Sequence, residues 1–223
     1  MPTIHTVNLV RADGTPIDRE SKFQGGKSLG LVFSGVGYNY RNPLLYYSKE
    51  LLVQHGCDYV GVDFKYYADP SFRSLSDDER YKRLSDDNDI VLDEARRLAP
   101  EYERIFLVGK SMGTSTVRNC LKDQEILKKA VIILFTPGGE WNEFILELLE
   151  LDNPTLVVGS LADKLYTVPN LPRLREKKNL TLHELQNANH SLEVNNVQED
   201  LTALKEIMRV EERFVKDCLS LDE

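Results

Sequence analysis

Ile105-Phe106-Leu107-Val108-Gly109-Lys110-Ser111-Met112-Gly113 decides how this chain is read. Four apolar residues of strand type run straight into a five-residue turn, and Thr114 to Lys122 continue with helical composition. A serine at the centre of so sharp a turn is pushed into a strained backbone conformation, at a cost of roughly 1–3 kcal/mol. Gly109 and Gly113 remove side chains that would collide across the bend. The hydroxyl is thereby held out at the end of a strand. The following helix start sets the Met112 N–H beside it, where negative charge is favoured.

Working outward, apolar strand runs alternate with amphipathic helical runs. Strands are expected at 29–33, 58–63, 104–108, 131–135, 155–158 and 180–185, and helices between them and at 197–218. Pro43 starts one helix, which Gly56 stops. Ser76 and Glu79 have capping-box spacing for another, ending near Pro100. The turn residues 12–16 predict an antiparallel pair at one edge within 3–24. The expected fold class is α/β: a mostly parallel central sheet, helices on both faces, an antiparallel N-terminal edge and one domain spanning 1–223.

Strand, G-x-S-x-G and helix in succession make a nucleophile elbow, so the chain resembles the α/β-hydrolase superfamily from about residue 29 to its end. The resemblance implies a nucleophile, an acid and a histidine in that chain order, each beyond the carboxyl end of a parallel strand. Ser111, Asp163 and His190 stand in that order. Asp152 precedes its strand and would lie at the opposite edge of the sheet. Glu140, beyond the preceding strand, is the alternative acid. His5 is assigned to the N-terminal edge strand, His55 to a helix end and His183 to a strand interior. The oxyanion donors would be the backbone N–H groups of Met112 and Val36, the latter beside Gly35 in the loop after residue 33. Many relatives begin that loop with His-Gly; here it is Ser34-Gly35. Lys110 precedes the nucleophile and is expected to project into a polar rim or to attract an anionic substrate.

Only residues 136–153 separate two strands where many relatives insert a cap, so a minimal cap and an open pocket are expected, with Trp141 near its rim. The excursion 64–103 begins with Phe64, Tyr66 and Tyr67, and Tyr66 and Tyr67 are candidates for one pocket wall. This anatomy is similar to the dienelactone-hydrolase and small carboxylesterase branches. It implies hydrolysis of a small carboxylic ester or thioester, with a peptidase or amidase and a non-catalytic binding module as alternatives. No cofactor or metal is implied.

The net charge of −8 disfavours nucleic acid and anionic membranes as partners. Three widely spaced cysteines without metal-ligand spacing, and no signal-peptide pattern, lead to an expected cytoplasmic location. A phosphate-binding G-x-x-x-x-G-K-[ST] loop fails, because Arg104 and Ser21 stand where the two Gly-Lys-Ser runs would need glycine. A dinucleotide fingerprint fails at Tyr40, where its third glycine belongs.

Overall fold

Two-residue alternation along the central strands divides the core in two. Leu29, Leu31, Ile105, Leu107, Ile132, Leu134 and Val157 belong to one apolar cluster. Val32, Phe106, Val108, Val131, Ile133, Leu156 and Val158 belong to another. A parallel sheet must cover both faces, so its strands read as continuous apolar runs. In the computed structural model, which describes residues 6–220, these runs are β2 (Ser28–Phe33), β3 (Asp58–Asp63), β4 (Arg104–Lys110), β5 (Ala130–Phe135) and β6 (Thr155–Ser160). With β1 (Asp18–Lys22) and β7 (Leu180–Leu185) they form one sheet in the order β1-β3-β2-β4-β5-β6-β7. All neighbours are parallel except β1 with β3.

One face carries α1 (Pro43–Gln54) and α8 (Val197–Leu219); Leu44, Leu45 and Leu52 meet Ile207, Phe214 and Val215 there. The other carries α3 (Asp77–Leu98), α4 (Gly113–Cys120), α5 (Gln124–Lys129) and α6 (Trp141–Glu150). Short α2 (Pro70–Ser74) and α7 (Leu171–Leu174) lie in connections. The Ser76/Glu79 capping box forms as the spacing predicts. The helix expected between the last two strands forms only as α7, a single turn.

The N-terminal edge is antiparallel, but its partner differs from the expected one. Segment 6–17 makes only one bridge, Val10 with Pro16, and Pro16 has no N–H to extend a ladder. Val7 and Leu9 bury themselves in the core instead, while Glu94 and Arg97 of α3 bond to the Asn8 N–H and the Thr6 carbonyl. The strand that pairs is β1, and it pairs with β3. His5 lies outside the described residues.

Between α1 and α8 sits a carboxyl that burial keeps protonated. Glu211 is fully buried; Ser48 Oγ donates to its Oε2 at 2.9 Å, and Oε1 has no partner among the described residues. Burial pushes its pKa up to about 8. A carboxyl whose folded pKa is raised contributes stability that is present below its unfolded pKa and lost as pH rises toward the folded value. The loss is on the order of 3 kcal/mol by pH 7. Glu211→Gln is therefore expected to raise Tm at pH 7 by roughly 5–10 °C and to flatten the decline between pH 5 and 8. Thermal unfolding across that range checks it; an unchanged slope would refute the buried-acid account.

Candidate functional site

The elbow forms at the end of β4. Ser111 has φ +53, a left-handed conformation that only a tightly held residue without glycine's freedom sustains. Its N–H donates to the Phe135 carbonyl at 3.0 Å, and Thr114 Oγ1 donates to its carbonyl at 2.6 Å. A Cβ on Gly113 would lie 2.3 Å from the Phe33 carbonyl oxygen, so α4 can start only on glycine there. Gly35 plays the matching part from the β2 loop: a Cβ on it would come within 3.1 Å of Ser111 Cβ.

Two neighbouring strands deliver the other groups. Asp163 follows β6, is 5% exposed, and accepts from the Leu165 N–H at 3.0 Å through Oδ1. His190 follows β7 and is half-buried. Its Nδ1 lies 2.7 Å from Asp163 Oδ2, and its Nε2 lies 2.7 Å from Ser111 Oγ. The three side chains taken from the sequence therefore meet in one line. Glu140, the alternative acid, turns away to pair with Arg118, which also holds Glu147. The Met112 and Val36 N–H groups have no acceptor among the described residues. Both residues line a groove together with Ser111.

Lys110 does not project into a polar rim. It is 1% exposed, and its ammonium donates to Thr136 Oγ1 at 2.5 Å and to the His190 carbonyl at 2.7 Å. The Tyr38 ring lies beneath it, 5.1 Å from Nζ to the centroid. Parity explains the direction: Lys110 shares the side of β4 that carries Phe106 and Val108, and at the strand end that side faces the His190 loop. Burial lowers its pKa to about 8, against the opposing pull of Asp163 and Glu193. Thr136, a β-branched residue at φ +37, completes the tie by donating to the same carbonyl at 3.0 Å.

Two grooves meet at the elbow. One, about 580 Å³, is walled by Tyr66, Tyr67, Phe72 and Tyr81 and touches Val36 and Met112. The other, about 630 Å³, touches Ser111 and Met112 and is lined by Asn88, Ser115, Asn119 and Leu165. Tyr66 and Tyr67 line the first groove together with Phe72 and Tyr81. Trp141 does not line either groove. It is 1% exposed, its indole N–H donates to the Tyr166 carbonyl at 3.2 Å, and its ring stacks on Tyr166. With Phe144, Ile145 and Leu148 it forms the apolar face that fixes α6 to the sheet, so α6 is no lid.

Among the described residues, the remaining histidines and the cysteines stay apart from this site. His55 caps α1 and His183 pairs with Glu206 from within β7. Cys57, Cys120 and Cys218 are buried and outside any disulfide; burial pushes Cys57 and Cys120 up to about 12, far from a thiolate at neutral pH. None of the helices among the described residues is long and apolar enough to cross a membrane.

No curated protein matches the chain. The chain is similar in structure to a dienelactone hydrolase from Anabaena variabilis, at 14% identity over 97% of this chain and 98% of that one, with a TM-score of 0.64. It is also similar to an α/β serine hydrolase without lid from Xanthomonas campestris, at 18% identity over 97% and 96%, TM-score 0.61. A protein of unknown function from Agrobacterium tumefaciens, described as an α/β hydrolase, gives 18% identity over 96% of each chain and a TM-score of 0.67. At such identities the likeness is one of fold. A family model described as an alpha/beta hydrolase domain matches residues 23–217. With that match spanning most of its length, the chain belongs to the α/β-hydrolase family.

Proposed function

We propose that this protein is a serine hydrolase that cleaves a small carboxylic ester or thioester through an acyl-enzyme on Ser111. The observation that carries the reading is the pair of 2.7 Å contacts joining Ser111 Oγ, His190 and Asp163. In the tautomer this geometry favours, His190 Nδ1–H donates to Asp163 and Nε2 accepts from the Ser111 hydroxyl. Attack on the substrate carbonyl transfers the Ser111 proton to His190, and the oxyanion falls between the Met112 and Val36 N–H groups. His190 then returns the proton to the leaving oxygen or sulfur as its bond to carbon breaks. Water repeats the sequence in reverse and frees the acid.

The test is a fluorophosphonate probe on the intact protein, read by mass and by peptide mapping. One adduct on Ser111 is the expected result; an unlabelled protein would end the proposal. Lys110 acts in this scheme as a positioning residue, because it grips the backbone of the base and not the reacting atoms. Lys110→Met removes the ammonium from both the His190 carbonyl and the Thr136 hydroxyl and leaves that carbonyl only the Thr136 hydroxyl as donor. It is expected to lower kcat about ten- to hundredfold, with KM within about twofold, as a small displacement of a reacting group does. Steady-state kinetics on a variant with wild-type circular dichroism measure this. A kcat within twofold of wild type would remove the positioning role.

A further inference from the structure

One face of α3 changes its neighbour partway along the helix. Val91, Leu92, Ala95 and Leu98 belong to the core and are at most 5% exposed. At 3.6 residues per turn, Asn88, Leu84, Tyr81 and Asp77 continue the same face toward the helix N-terminus. Exposure climbs on the way: Asn88 is 6% exposed, Leu84 is half-buried and Tyr81 is 62% exposed. The face that seats α3 on the sheet therefore runs on uncovered.

Both grooves lie along this uncovered stretch. One touches Asp77, Arg80, Tyr81 and Leu84, and the other touches Tyr81, Leu84, Ser85 and Asn88. They share Val36, Tyr81, Leu84 and Met112, four large apolar residues, and so join into one cleft. Ser111 opens into the part beside Asn88. From Asn88 to Asp77 the cleft follows about three turns of helix, roughly 16 Å.

Polar groups toward the Asp77 end are already engaged. Arg80 donates to the Phe72 and Arg73 carbonyls at 3.3 Å and 2.6 Å and pairs with Asp77 at 3.2 Å, while Arg73 donates to the Tyr67 carbonyl. The Tyr66 hydroxyl donates to buried Asp87 at 2.5 Å, and Arg11 holds that carboxylate at 2.8 Å and 2.9 Å. The Tyr66 ring stacks on Phe72 at 3.9 Å. Tyr66, Phe72, Tyr81 and Leu84 thus offer a ligand chiefly ring and hydrocarbon surface. We propose that one arm of the ester is an extended apolar chain that leaves Ser111, passes the four shared residues and lies along α3 toward Asp77. This rests on the serine-hydrolase reading and names its substrate class, medium-chain esters. The arm can stand on either side of the ester bond.

Two ester series starting from ethyl acetate test this. One lengthens the acid through ethyl butyrate and hexanoate to octanoate; the other lengthens the alcohol through butyl and hexyl to octyl acetate. Each methylene the cleft covers is worth about two- to fourfold, so kcat/KM should rise about twentyfold or more along at least one series. Leu84→Trp, which fills the shared stretch of the cleft, is expected to reduce that rise about five- to tenfold. Tyr81→Ala, at an exposed position that folding tolerates, should reduce it about two- to fourfold, and Tyr81→Phe, which keeps the ring, should preserve it. A flat or falling profile in both series overturns the proposal, as does a rise that neither Leu84→Trp nor Tyr81→Ala reduces. The fluorophosphonate adduct separates the two levels. Labelled Ser111 with flat profiles defeats only the extended arm, whereas an unlabelled protein that turns over no ester of either series defeats the hydrolase reading as well.

Discussion

Ser111→Ala is expected to abolish fluorophosphonate labelling and to lower ester turnover by on the order of 10⁶ in kcat, the scale seen when a serine protease loses its nucleophile. The size follows from what the hydroxyl does. In the proposed mechanism no acyl-enzyme forms without Oγ, and the rest of the site can support only direct attack by water. That background still exceeds the uncatalysed rate by roughly 10³–10⁴. The substitution removes one atom from a half-buried side chain and leaves the backbone bond from the Ser111 N–H to Phe135 untouched, so folding should be unaffected. The readouts are intact mass after probe treatment and turnover of a model ester. A labelled alanine variant, or one within tenfold of wild-type kcat, would mean that another group does the chemistry.

The imidazole and its carboxylate should fail by different amounts. His190→Ala removes the only base within 2.7 Å of Ser111 Oγ among the described residues, and a loss on the order of 10⁶ is expected. Asp163→Asn leaves the imidazole in place but presents an amide where a carboxylate accepted from Nδ1. The ring then loses its preferred tautomer and the charge that stabilises its cation, and a loss on the order of 10⁴ is expected. If the three groups act as one unit, as proposed, the double variant should be no worse than His190→Ala alone. Kinetic comparison of the two single variants with the double is the measurement. Additive losses would show that Asp163 and His190 act independently and would undo the relay.

Most of the fold is legible because parallel strands covered on both faces leave uninterrupted apolar runs. Asp58–Asp63 and Leu180–Leu185 match their expected bounds. The site is legible for a related reason: in an open parallel sheet, loops beyond the carboxyl ends of neighbouring strands converge on one edge, so strand order alone brings positions 111, 163 and 190 near one another. What stays hidden is decided by packing. Trp141 begins a helix, and nothing local says whether its ring faces the groove or the core. The face turned inward by α6 decides it. Lys110 carried a usable signal, since it continues the apolar side of β4, and a lysine on that side must be buried and bonded. Tyr81 and Asn88 are seven residues apart on α3, two turns along one face, yet only tertiary contact shows that this face lies against the elbow. The N-terminal pairing was misdirected by turn chemistry at residues 12–16; Pro16 limits it to one bridge.

The tether from Tyr66 through Asp87 to Arg11 has a wider meaning for how such a protein can change. Ser111, Asp163 and His190 follow β4, β6 and β7, whereas the aromatic wall hangs on the excursion between β3 and β4 and is braced by the chain's N-terminal segment. The aromatic groove wall and the three meeting side chains thus lie on separate stretches of polypeptide. A descendant could reshape the groove at residues 66–84 while leaving Ser111, Asp163 and His190 where they stand.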